Sequence, residues 1–153
     1  MIYIYRLLIN LILICSPLII IYRLIIGKEH KTRFLEKFGF FSKQKKNGNL
    51  FWFHGASVGE LKSIIPILIK LEKNDKIKQI LVTSNTLSSS KVLEIYNFKK
   101  VIHQFFPIDS NLIIKKFISY WKPTKVFFID SEVWPNLMFF LDKKKLPVAL
   151  INA

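Results

Sequence analysis

Residues 49–153 predict an open α/β domain built on a parallel sheet. Five short apolar runs carry that prediction: Leu50–His54, Ile80–Ser84, Val101–Phe106, Val126–Asp130 and Val148–Asn152. They are rich in Val, Ile and Phe and nearly continuous rather than alternating, as in strands buried on both faces. The second observation is the longer amphipathic stretches between them, near Leu61–Lys73, Ser88–Tyr96, Ser110–Tyr120 and Pro135–Lys144. Strands alternating with helices give right-handed βαβ units. Pro135 suits the first turn of its helix.

Ahead of the sheet, Leu7–Tyr22 read LLINLILICSPLIIIY, and Leu24-Ile25-Ile26 extend the run past Arg23. A spanning helix needs about 20 apolar residues. Residues 1–27 therefore read as an N-terminal membrane anchor that either crosses the bilayer or dips into one leaflet. Pro17 would kink the helix near its middle, and Arg6 and Arg23 could snorkel to the interface. No small-residue cleavage site follows, which argues against a cleaved signal peptide. The next residues, Gly27-Lys28-Glu29-His30-Lys31-Thr32-Arg33, form a basic flank that stays cytoplasmic by the positive-inside rule. Each basic residue near an anionic lipid surface contributes about 1 kcal/mol. The Lys43–Lys46 cluster with Asn47-Gly48 reads as a surface loop before the first strand.

The 153 residues fit one domain plus an appendage. A net charge of +14, from 24 basic and 10 acidic residues, points to an anionic partner. Nucleic acid is the poorer candidate, because the basic residues are dispersed and the N-terminus is membrane-seeking. The lone Cys15 excludes an intrachain disulfide, and so few histidines offer no metal-binding cluster.

In an open α/β sheet, ligands bind at the carboxyl ends of the strands. Four of the ten acidic residues fall there: Glu60 after the first strand, Asp109 after the third, and Asp130 and Glu132 at the end of the fourth. Glu60 has two readings. Ser57-Val58-Gly59-Glu60 matches a capping box, and a glutamate at a helix start facing the strand ends is also placed to act as a general base. Gly55 and Gly59 allow a tight turn and close approach by a ligand. Thr83-Ser84-Asn85-Thr86 and Ser88-Ser89-Ser90 follow the second strand, where hydroxyls and amides either hold an anionic group or simply cap a helix. Asp130-Ser131-Glu132-Val133-Trp134-Pro135-Asn136 packs two carboxylates and a tryptophan into a strand-to-helix turn. Those acids either stabilise developing positive charge on a sugar or form a hydrogen-bonded corner. His54 and His103 sit in apolar strands and read as satisfied core residues.

Taken in order, these segments resemble the N-terminal part of the 3-deoxy-D-manno-octulosonic acid (Kdo) transferases. Arg33-Phe34-Leu35-Glu36-Lys37-Phe38-Gly39 resembles the basic stretch that follows the family's anchor. His54 to Glu60 resembles its His-x-x-Ser-Val-Gly-Glu, Phe106-Pro107-Ile108-Asp109 its Leu-Pro-x-Asp, and Asp130 to Asn136 its Glu-x-Glu-Leu-Trp-Pro-Asn. Leu146-Pro147-Val148 through Asn152-Ala153 resembles its Ile-Pro-x…Asn-Ala. There are departures: Asp130 replaces a glutamate, and Thr86-Leu87-Ser88-Ser89-Ser90 stands for the family's Thr-Pro-Thr-Gly-Ser.

The resemblance implies the N-terminal, Rossmann-like half of a two-domain GT-B glycosyltransferase. Residues 1–27 would be the anchor and residues 28–153 the acceptor-side domain. In the family the donor nucleotide is held largely by a C-terminal domain, which this chain, stopping at Ala153, is expected to lack. The implied reaction is inverting transfer of Kdo from CMP-Kdo to the lipid A precursor at the cytoplasmic face of the bacterial inner membrane, with no metal or cofactor. Glu60 would be the base, with Asp130 or Glu132 assisting, and Ser57, Gly59, Thr83, Thr86 and Ser88 would line the substrate site. The competing expectation is a non-catalytic, membrane-anchored module or pseudoenzyme fragment that only binds the lipid A precursor.

Overall fold

The computed structural model describes residues 2–130 and 134–151. Five strands form one parallel sheet: β1 (Leu50–His54), β2 (Gln79–Ser84), β3 (Val101–Phe105), β4 (Lys125–Ile129) and β5 (Val148–Ile151). Their spatial order is β3-β2-β1-β4-β5, every neighbouring pair parallel. The order reverses direction between β1 and β4, and the crevice outside their carboxyl ends is where doubly wound sheets bind ligands. This is an α/β domain of the kind that forms the N-terminal half of a GT-B glycosyltransferase.

The continuous strands are explained by burial on both faces. One layer joins Trp52, Val126 and Phe128 to α5 (Asn111–Trp121) and α6 (Pro135–Lys143) through Phe117, Trp121 and Leu137. The other joins Phe53, Ile80 and Val82 to α2 (Val58–Ser63), α3 (Ile65–Glu72) and α4 (Leu87–Val92) through Leu61, Leu68 and Val92. The helix expected over Leu61–Lys73 is two helices meeting at Ile64. Pro66 sits in the first turn of the second; it has no N–H for a bond to the preceding turn, and its ring crowds that carbonyl.

The two edges of the sheet differ. On the β3 side a 3-10 helix, Arg33–Phe38, reaches over the edge. Glu36 accepts the Phe105 amide at 2.7 Å and the Arg33 guanidinium at 2.9 Å, and bonds Ser42. Arg33 also donates to the His103 carbonyl at 2.7 Å and to His103 Nδ1 at 2.9 Å. The ring proton is therefore on Nε2, which donates to Ser84 Oγ at 2.8 Å. Burial first, then the adjacent Arg33 charge and His30, lowers the His103 imidazole from 6.5 to about 3. On the opposite side no element among the described residues covers β5, and Val148 is 45% and Leu150 60% exposed.

Helix α1 (Ile2–Ile25) is long and apolar enough to cross a membrane, and little of it is buried in the domain. Its two arginines are not free to snorkel. Arg6 Nε donates to Asn136 Oδ1 at 2.9 Å and lies over the Phe139 ring, while Arg23 Nε pairs with Glu29 at 3.0 Å. Arg33 of the basic flank likewise turns inward to Glu36, leaving Lys28 and Lys31 exposed.

Candidate functional site at the carboxyl ends of β1 and β4

Gly55 follows β1 directly, and its amide donates to the Thr83 carbonyl at 3.1 Å. A Cβ there would lie 3.1 Å from both Ile129 Cδ1 and Leu61 Cδ2. The end of β1, the end of β4 and the start of α2 thus converge on a position that only glycine fills without displacing a neighbour.

Ser57 opens α2. Its Oγ accepts the Glu60 amide at 3.2 Å, and the Glu60 carboxylate returns to the turn, taking Ala56 N–H on Oε2 at 2.9 Å and Ser57 N–H on Oε1 at 3.2 Å. The capping box is formed. It does not exhaust the carboxylate, whose two oxygens offer about four lone-pair sites, and Glu60 is half-buried rather than enclosed. Gly59 is exposed, and a Cβ on it would meet nothing closer than Ser57 Oγ at 3.9 Å.

Thr86 caps α4, accepting the Ser89 amide at 3.2 Å. Ser89 Oγ in turn donates to the Ala56 carbonyl at 3.3 Å, which ties the α4 start to the turn after β1. Thr86 and Ser88 are exposed beside that turn. Asp130 follows β4 directly with φ +66°, a left-handed backbone conformation uncommon outside glycine, and it is exposed. Such conformations cluster at functional sites. Glu132 lies outside the described residues.

Two expectations are corrected. Thr83 is fully buried, and its Oγ1 accepts Trp52 Nε1–H at 2.9 Å and lies 2.9 Å from His54 Nδ1. It is sealed in the sheet and holds two aromatic neighbours, so it cannot line a ligand site. Asp109, one of the acids at the strand ends, is also buried and serves α6 instead. Its two oxygens accept the Asn136 and Leu137 amides, each at 2.9 Å, and Oδ2 also accepts the Tyr5 hydroxyl at 2.8 Å. Burial raises the Asp109 carboxyl above its ordinary value, while those three donors pull the other way. His54, as expected, is a core residue, stacked on Phe106 at 4.1 Å. Sequence reasoning missed Tyr5, Arg6 and Asn136 as a connected group. The only signal was the Trp134-Pro135-Asn136 motif, in which the asparagine has no local use.

A family model described as 3-deoxy-D-manno-octulosonic-acid transferase matches residues 32–153. The chain belongs to the Kdo transferase family. A probable mitochondrial 3-deoxy-D-manno-octulosonic acid transferase of Arabidopsis thaliana is 36% identical over 99% of this chain and 35% of its own length. A 3-deoxy-D-manno-octulosonic acid transferase of Rickettsia bellii is 38% identical over 88% of the chain and 32% of its own. One from Haemophilus influenzae is 27% identical over 94% and 35%. The chain thus spans about a third of the length of these Kdo transferases. The match contains the β1-to-α2 turn, the α4 start and the β4 end, so the whole candidate site lies within the Kdo transferase region.

Proposed function

We propose that this chain supplies the acceptor side of a glycosyltransferase that moves Kdo from CMP-Kdo to the lipid A precursor. Residues 28–153 form the acceptor-side domain. Glu60 is the general base that takes the proton of the attacking hydroxyl, and Asp130 or Glu132 steadies the positive charge that develops on the transferred sugar as its bond to the CMP phosphate breaks and CMP leaves. Ser57, Gly59, Thr86 and Ser88 line the acceptor's path. The observation that carries the reading is Glu60 itself. In a chain of this family, a half-exposed carboxylate stands at the point where the sheet order reverses, held by two amides and retaining lone pairs.

Helix α1 rests in one leaflet of the bacterial inner membrane, with the domain on the cytoplasmic face. Its 24 residues would extend about 36 Å. Yet Tyr5 and Arg6 near one end bond the same domain that Arg23 reaches at the other, through Glu29 and Lys37. A helix fastened at both ends to one domain lies along the membrane rather than through it.

The test pairs two measurements on Glu60→Gln. Kdo transfer from CMP-Kdo to lipid IVA should fall by about 10²–10⁴-fold, the usual contribution of a general base, while lipid IVA binding in nanodiscs stays unchanged. Transfer within a few fold of the parent would reject Glu60 as the base. Lipid IVA binding with no transfer at any stage would favour the non-catalytic module.

A further inference from the structure

Ser89 is fully buried in the first turn of α4, yet its hydroxyl reaches across to the turn after β1. A hydroxyl carries a single proton, and that of Ser89 goes to the Ala56 carbonyl at 3.3 Å. Thr86 Oγ1 lies 2.7 Å from Ser89 Oγ and is therefore the donor between the two hydroxyls, while it accepts the Ser89 amide at 3.2 Å. The order of donation is thus set: Thr86 to Ser89, and Ser89 to Ala56. Ser89 stands where the family pattern set out above has glycine, so this hydroxyl is the chain's own.

The Ala56 carbonyl and the Ser57 amide are the two ends of one peptide group. That group is planar, and its C=O and N–H point in opposite directions. One end takes the Ser89 hydroxyl, and the other donates to Glu60 Oε1 at 3.2 Å. A hydrogen bond at one end fixes the direction of the other, and polarisation along the chain strengthens both. Glu60 Oε2 is held by the Ala56 amide at 2.9 Å, which belongs to the preceding peptide. Held by that amide alone, the carboxylate would be free to turn about one contact. Held by both, it has one orientation.

We propose that Ser89 is a positioning residue for sugar transfer: it aims the Glu60 carboxylate through the peptide between Ala56 and Ser57, without touching either substrate. The start of α4 and the base at the start of α2 are then one mechanical unit. The inference rests on Glu60 as the base, but the link itself is read by amide exchange as well as by turnover, so either can fail alone.

The experiment compares Ser89→Ala with Ser90→Ala in the full chain, in nanodiscs. Ser90 is the control, because it is also buried but donates to the Leu87 carbonyl beside it at 2.8 Å. In Kdo transfer from CMP-Kdo to lipid IVA, Ser89→Ala should lower kcat by roughly three- to tenfold, the ordinary worth of one neutral hydrogen bond. KM for both substrates should stay unchanged, as for an interaction that counts only in the transition state. Ser90→Ala should leave kcat within about twofold. Added to Glu60→Gln, Ser89→Ala should change transfer by less than about twofold, since the group it aims is gone. Hydrogen exchange at the Ser57 amide should accelerate by roughly three- to tenfold in Ser89→Ala and not in Ser90→Ala. Unchanged exchange at Ser57 would overturn the link through the peptide. A loss that adds in full to that of Glu60→Gln would overturn action through Glu60, and an equal loss from Ser90→Ala would reduce Ser89 to helix packing. Parental transfer by Glu60→Gln would reject the base and with it the kinetic effect, and exchange alone would then decide whether Ser89 holds the peptide.

Discussion

Replacing Asp109 by alanine should destabilise the domain out of proportion to the size of the change. The carboxylate accepts the first-turn amides of Asn136 and Leu137, each at 2.9 Å, and the Tyr5 hydroxyl at 2.8 Å. Asn136 is fully buried, so water cannot replace what its amide loses. A buried donor left unsatisfied costs about 1–3 kcal/mol, and loss of a helix cap alone costs about 1 kcal/mol. Taking the two amides together gives roughly 2–4 kcal/mol, a large part of the 5–15 kcal/mol that an ordinary domain has in total. For a chain of this size each kcal/mol lowers the melting temperature by about 2–4 °C, so a fall of roughly 5–15 °C is expected. The assay is thermal unfolding in a mild detergent, followed by circular dichroism, with the exposed Asp142→Ala as control. Amide hydrogen exchange at Asn136 and Leu137 adds a local readout and should accelerate. An Asp109→Ala melting temperature within a degree or two of the control would refute the assignment of Asp109 as the cap of α6.

Gly55→Ala should cost about 1–3 kcal/mol, because its Cβ must push aside Ile129 and Leu61 at 3.1 Å. Gly59→Ala meets open space and should raise stability by roughly 0.5–1 kcal/mol; the two melting temperatures should move in opposite directions. His103 is held neutral down to about 3 against an ordinary 6.5. The unfolded chain therefore binds the proton first, and stability is lost as pH falls from 6.5 towards 3. His103→Gln keeps one acceptor and one donor, and should flatten that limb in denaturant titrations across pH. Asp109 works in the opposite sense. Its carboxyl is raised from 3.8, so its contribution falls as pH rises above that value, and Asp109→Asn should remove this fall.

The sheet was legible because its strands are buried on both faces, which leaves an uninterrupted apolar record in the chain. Helix ends were less so. α2 begins at Val58 because Ser57 caps it, and α4 ends at Val92, short of the expected Tyr96. The 3-10 helix at Arg33–Phe38 left no periodicity to read, because what holds it is Glu36 reaching the Phe105 amide, 69 positions away. The same distance effect hid the work of Asp109. Its place after a strand was visible, but its partners Asn136 and Tyr5 lie 27 and 104 positions off. Thr83 shows the reverse failure. A hydroxyl near a strand end suggests a ligand contact until the neighbouring strand places Trp52 against it. The capping box of Glu60 was legible because it is local, whereas the place of Glu60 at the turning point depends on the order β3-β2-β1-β4-β5, which no local pattern carries.

The unequal edges of the sheet give the domain a direction of growth. Arg33 and Glu36 occupy outward-facing groups of β3, so no strand can be added there without evicting a buried ion pair. Among the described residues β5 carries no such cover, and its Val148 and Leu150 stand out as an apolar template. Exposed edges of this kind recruit whatever extended chain is nearest. Any lengthening of the sheet, by the molecule's own residues or by a neighbour's, must proceed from β5 outward, and a solution of this chain in which that edge stays bare is prone to self-association.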